Sequence, residues 1–150
     1  MSENGGVMDV VLQRAELERD LARLLDEGVP EGWQSLRFEA CAAGTVTEFL
    51  LHVDRNGVVT PTDSSDDAFP LLKQLRKLMY RPGYGTWFSL TMKIDNQGHV
   101  ETHYNYDEEA DWSFPLADSS YQRDQQKFPR DPEHIPAWLA PKLGLGGVSN

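Results

Sequence analysis

Between Gly85 and Trp112 the chain alternates twice, and this double alternation constrains the fold more than any other feature. Phe88, Leu90, Met92 and Ile94 fall on one face of an extended chain, and Ser89, Thr91 and Lys93 on the other. A period of two means a strand with one face buried. Asp95-Asn96-Gln97-Gly98 reads as a turn. Val100, Thr102, Tyr104 and Tyr106 then oppose His99, Glu101, His103 and Asn105. The pattern predicts a hairpin whose outgoing strand runs into Asp107, Glu108, Glu109 and Asp111, then Trp112. Such a hairpin delivers two tyrosines and four carboxylates to one edge of the molecule.

The remaining elements follow from the same kind of reading. Residues 8–27 predict a helix, with Val10, Leu17, Leu21 and Leu24 as its apolar stripe and Val11 and Leu25 beside it. Gly28 and Pro30 stop it. Residues 33–42 and 45–53 predict two strands joined at Ala43-Gly44, and Asn56-Gly57 a turn into a short strand at Val58–Thr60. A second helix is expected from Ala68 to Tyr80, capped by Asp66 or Asp67, with a basic face of Lys73, Arg76, Lys77 and Arg81. A third spans 118–127, capped by Asp118, Ser119 or Ser120, and a short broken one starts at Asp131-Pro132. This order predicts an α+β fold: an antiparallel sheet with helices packed on one face.

A chain of 150 residues is expected to form one domain, burying roughly 70% of its unfolded surface. Its core is expected within residues 8–140, with 144–150 as a flexible tail. No stretch approaches the ~20 apolar residues that span a bilayer. The first residues lack the basic-then-apolar order of a signal peptide. A cytoplasmic protein with no membrane partner is therefore expected. The single cysteine, Cys41, agrees with a reducing compartment and reads as a small core or strand residue.

The formal charge is −10, from 24 acids against 14 bases. That argues against direct contact with nucleic acid, which needs a basic footprint. It suits a basic protein partner, although solubility alone accounts for it too. Its distribution is more telling. From Asp95 to Gln122 there is no Lys or Arg, while seven acids occur.

Chemistry finds little purchase. His99 and His103 share a strand face with Glu101, but four residues along a strand span about 13 Å, too far for one metal. No metal or other cofactor is expected. Asp107, Glu108, Glu109 and Asp111 lack a nucleophile, a phosphate-binding loop or an HExxH motif nearby. A run of exposed carboxylates is the simpler reading, and no catalytic residue is assigned. Core packing is favoured for Tyr104 and Tyr106. Alternation puts Trp87 opposite Phe88, which makes it a candidate contact. Trp112, between Asp111 and Ser113, is either an exposed anchor or a core residue.

PEGW (Pro30–Trp33), the strands after it, the helix FPLLKQLRKLM and the hairpin TWFSLTMKIDNQGHVETHYNYDEE together resemble the YezG-like family of small immunity proteins. The shared hairpin pattern is an aromatic residue, a strand, an Asp-x-x-Gly turn and a strand ending in Tyr-x-Tyr-Asp/Glu. Trp87, Asp95, Gly98, Tyr104, Tyr106 and Asp107 match it. The likeness covers about residues 8–112. The segment SSYQRDQQKFPRDPEHIPAWL departs from the family's aromatic-rich ending. The resemblance implies a non-enzymatic antitoxin that neutralises a cognate nuclease toxin of bacterial competition systems. Charge and exposure, rather than the family, nominate its partner-binding residues: Asp107, Glu108, Glu109, Asp111, Trp112, Tyr106 and Trp87. The competing readings are a peptide-binding adaptor and a small carboxylate hydrolase.

Overall fold

The computed structural model describes residues 3–145, with side chains from Met8 onward. Its elements are α1 (Glu3–Glu27), β1 (Ser35–Ala43), β2 (Val46–Arg55), β3 (Val58–Thr62), α2 (Ala68–Leu78), β4 (Ser89–Asp95), β5 (Val100–Asn105) and α3 (Asp118–Lys127). Two 3-10 turns, Pro132–His134 and Pro141–Leu143, follow. The strands form one five-stranded antiparallel sheet in the order β3-β2-β1-β4-β5. The fold is α+β, as the element order predicts. The chain gathers into two compact units. The first holds the chain up to Glu39, Leu50–Met79 and Thr91–His103; the second holds Ala40–Phe49, Tyr80–Leu90 and the chain from Tyr104.

In the first unit α1 packs on α2. Leu21 and Leu25 of α1 and Leu72 and Leu75 of α2 are buried, as are Leu36, Phe38, Leu51, Val53, Met92 and Ile94 at alternate strand positions. The strand phases therefore agree with the sequence pattern. Two helix expectations are corrected. The α1 stripe is buried only in its C-terminal half, because Val10 and Val11 are 41% and 44% exposed. Arg76 belongs to the buried side of α2, at 4% exposure, and not to its basic face. It stands four residues from Leu72, so helix geometry puts both on one side. Helix α1 also begins at Glu3 and runs through Gly5 and Gly6. Extending an existing helix costs far less than starting one. Asp67 is the N-cap residue of α2 but makes no side-chain capping bond.

The β2–β3 connection is the two-residue turn Asn56-Gly57, with φ of 54° and 83°. Positive φ at both positions is the type I′ geometry that matches strand twist, and it is why Asn-Gly stands there. The Asp54 carboxylate accepts from the Gly57 N–H at 2.9 Å. Pro61 sits in β3 opposite His52. Because β3 is an edge strand, a residue without an N–H is tolerated there. At the β4–β5 turn the Asp95 carboxylate accepts from the Gln97 and His99 N–H groups, each at 2.9 Å.

In the second unit Ala43, Phe88, Ala110, Tyr121 and Leu139 form a buried cluster, and Cys41, Trp112 and Trp138 pack against it. Phe88, Tyr121 and Trp138 meet edge to face, with centroids 5.4–6.0 Å apart. That geometry is favoured by the ring quadrupoles. Helix α3 spans the expected residues, but Ala117 is its N-cap and makes no side-chain bond. The serines and Asp118 lie inside the helix instead. The chain after α3 closes in short turns, and Pro132 and Pro141 open the two 3-10 turns, where a missing N–H leaves no bond unmade. Of the expected tail, Gly144 and Leu145 still hydrogen-bond to Pro141 and Ala140. Residues 146–150 lie outside the described residues.

Candidate functional site

The acidic run leaves β5 within the second unit, and its backbone is fixed at three points. Asn105 clamps the start: its Oδ1 accepts from the Glu108 N–H at 2.9 Å, and its Nδ2 donates to the Glu108 carbonyl at 2.9 Å. The Trp138 Nε1–H donates to the Asp107 carbonyl at 2.8 Å. Ala110, 8% exposed, plugs the middle of the run into the core cluster. The result is a short rigid loop with its carboxylates outward and its one small apolar residue inward.

Arg130 organises the underside of this loop. Its Nη1 donates to the Asp107 carboxylate and to the His134 carbonyl, both at 3.1 Å. Its Nη2 donates to the carbonyls of Thr86 and Tyr106. The guanidinium lies over the Phe88 ring, 5.0 Å from its centroid. Gly85 makes room for it: a Cβ there would stand 2.5 Å from Arg130 Nε. The φ of 84° at Gly85 also disfavours any side chain. Sequence reading passed over Arg130, because nothing in Phe128-Pro129-Arg130-Asp131 signals a contact with the hairpin.

The seven nominated residues separate by environment. Trp87 is fully buried and stacks obliquely on Tyr104 at 5.8 Å, so it is corrected from a contact to a core residue. Alternation had put it opposite Phe88, but that face is covered here as well. Trp112 is half-buried and packs against the core cluster. Tyr106 is half-buried, and its carbonyl serves Arg130. Asp107 is outward but already paired with Arg130. Glu109 lies 3.6 Å from Lys142. Glu108 and Asp111 are exposed, and no cation within ion-pair distance serves either among the described residues. Phe114, which the sequence pattern does not single out, is 44% exposed, with its ring 5.7 Å from that of Trp112.

The remaining polar groups near the loop serve structure. Ser113 donates through both N–H and Oγ to the Glu48 carboxylate. Burial pushes the Tyr121 hydroxyl up from its ordinary range, with a smaller opposing effect from Trp112. Among the described residues no group of three His, Cys, Asp or Glu side chains could hold a metal ion. His99 pairs with Asp95 at 2.8 Å and His103 with Glu101. No described helix is long and apolar enough to cross a membrane. Neither a protein-family model nor a curated protein sequence matches the chain.

Proposed function

We propose that this protein is a cytoplasmic immunity protein that binds a basic nuclease toxin and covers its nucleic-acid cleft, without catalysis of its own. One observation carries the reading: Glu108 and Asp111 present uncompensated carboxylates on a loop whose backbone is pinned by Asn105, Trp138 and Arg130. A nuclease cleft must be positive to hold phosphate. A preformed negative edge is steered to such a cleft and loses little conformational freedom on docking. Phe114, exposed three residues beyond Asp111, supplies an apolar contact. The hairpin's resemblance to YezG-like immunity proteins supports the same class of partner.

Affinity capture from the native host, followed by mass spectrometry and a nuclease assay on the captured protein, tests the reading. A single basic nuclease, silenced in the complex and active once released, is the expected result. Capture of many unrelated peptides or proteins would replace it with an adaptor function.

A further inference from the structure

The two edges of the sheet differ in what their backbones offer. Strand β3 forms one edge and β5 the other. In β3 the pair Arg55–Val58 closes the two-residue turn. It is therefore a hydrogen-bonded pair, and alternation turns the backbone groups of Val59 and Pro61 outward. Pro61 has no N–H, so this edge lacks a donor where a further strand would need one. Strand β5 carries no proline. Two bonds fix which of its groups face β4: the Asp95 N–H donates to the His99 carbonyl at 3.1 Å, and the Phe88 N–H to the Asn105 carbonyl at 2.8 Å. Both acceptors are at odd positions. Alternation therefore turns the N–H and C=O of Val100 and Thr102 away from β4, to the side where the sheet has no further strand.

The side chains along this open edge carry both signs. Glu101 and His103 are 64% and 66% exposed and pair with each other along the strand. Val100 is 44% exposed. Lys93 of β4 stands behind Glu101, whose carboxyl is held below its ordinary value first by His103 and to a smaller degree by Lys93. An antiparallel strand laid on β5 must bring its own outward groups into step with those of Val100 and Thr102, which confines the register to slips of two residues. For a second copy of the chain, charge chooses among these registers. With Thr102 facing Thr102, each Glu101 faces the partner's His103. A slip of two residues one way sets Glu101 on Glu101, and the other way His103 on His103.

We propose that two copies of the protein join through β5, antiparallel about a two-fold axis at Thr102, into one continuous sheet. The same strand serves on both sides, and each copy supplies the backbone donors and acceptors that the other's edge needs. A Glu101–His103 pair closes the join on either side of the axis, and no like charges face each other across it. Val100 is covered by the partner's strand. The β3 edge cannot take this role, because Pro61 stands at its outward position. A strand pairing of this length is small beside permanent interfaces, so the dimer is reversible. The inference stands independently of the toxin partner and of the acidic run after β5.

Sedimentation equilibrium of the full chain over a wide concentration range is the test. A reversible monomer–dimer equilibrium is expected. His103→Glu, which sets acid against acid, should weaken the dimer at least tenfold, and His103→Lys should not weaken it. Both changes are at an exposed strand position, so far-UV circular dichroism and melting should match the parent. Thr102→Cys tests the register. Opposed hydrogen-bonded residues have Cα atoms about 5.5 Å apart, within reach of a disulfide. Under mild oxidation this variant should crosslink to a dimer. Lys93→Cys, exposed one strand back from the join, should crosslink no more than the parent, whose only thiol is Cys41. A chain that stays monomeric up to about 1 mM, equal effects of the two His103 variants, or equal crosslinking of the two cysteine variants would each overturn the inference.

Discussion

The Arg130 guanidinium, 2% exposed, donates at 3.1 Å to the carboxylate of Asp107, which is 79% exposed. The pair is asymmetric: a buried cation reaches outward to an anion that water already solvates. Three backbone carbonyls, of Thr86, Tyr106 and His134, take three more of its donors. Arg130 therefore holds the hairpin end and the C-terminal turns in one arrangement, while Asp107 contributes mainly by direction.

Removing each partner should accordingly give unequal losses. Arg130→Ala strips donors from three carbonyls and opens space over Phe88, and should cost about 3 kcal/mol or more. Asp107→Asn keeps a hydrogen-bond acceptor at an exposed site and should cost about 1 kcal/mol or less. Urea unfolding of both variants distinguishes them. Equal losses would mean that the carboxylate, and not the carbonyl set, carries the contact.

The first unit depends on the α2 stripe. Leu75 is fully buried. Leu75→Ala should lower stability by about 2–5 kcal/mol, the range for deleting a buried leucine side chain. A loss in urea unfolding under about 0.5 kcal/mol would show that the site is not packed as described.

Acid should act on the β4–β5 hairpin through two exposed carboxylates. Asp95 is held below its ordinary value of 3.8, first by the His99 backbone N–H and then by the His99 ring. Glu101 is held below 4.5, chiefly by its hydrogen bond to His103. Both are depressed, so their contribution is present above the unfolded values and is lost as pH falls through the lower folded ones. NMR titration of the carboxyl carbons should place both midpoints below 3.8 and 4.5 respectively. His103→Ala should return Glu101, and not Asp95, to its ordinary value. A Glu101 midpoint unmoved by that change would exclude the histidine as the cause.

The two aromatic residues after the acidic run should also separate. Trp112→Ala removes packing from the core cluster and should cost about 2–4 kcal/mol of stability. Phe114→Ala, at an exposed ring, should change stability by about 0.5 kcal/mol or less and instead speed dissociation of the partner. Thermal melts and dissociation rates, measured side by side, decide this. A stability loss for Phe114→Ala as large as for Trp112→Ala would remove Phe114 from the contact surface.

Local periodicity made the strands legible. Phe88, Leu90, Met92 and Ile94 are all buried, as their alternation requires. The Asn56-Gly57 and Asp95 turns were equally plain, because turn chemistry is confined to a few neighbouring residues. What the sequence could not display was long-range pairing. Arg76 reads as polar by type and is buried by position. Arg130 stands 23 residues from Asp107, and Lys142 is also remote from Glu109. So a run of four acids that looks uncompensated along the chain is half compensated in space. Several of the hairpin's prominent residues are architectural: Trp87 packs on Tyr104, Asp95 closes a turn, and Asp107 meets Arg130. Glu108, Asp111 and Phe114 are the side chains left facing outward.

The measurement that tests the acidic edge most directly is association of the purified protein with the captured nuclease at low and high salt. Cleavage by that nuclease is followed in parallel. The parent should silence cleavage at one-to-one stoichiometry, with fast association that slows steeply as salt rises. The Glu108→Lys, Asp111→Lys variant should melt like the parent. It should associate at least tenfold more slowly, with a flattened salt dependence and incomplete protection. A variant that associates at the parental rate with the parental salt slope, and still silences cleavage, would contradict the account.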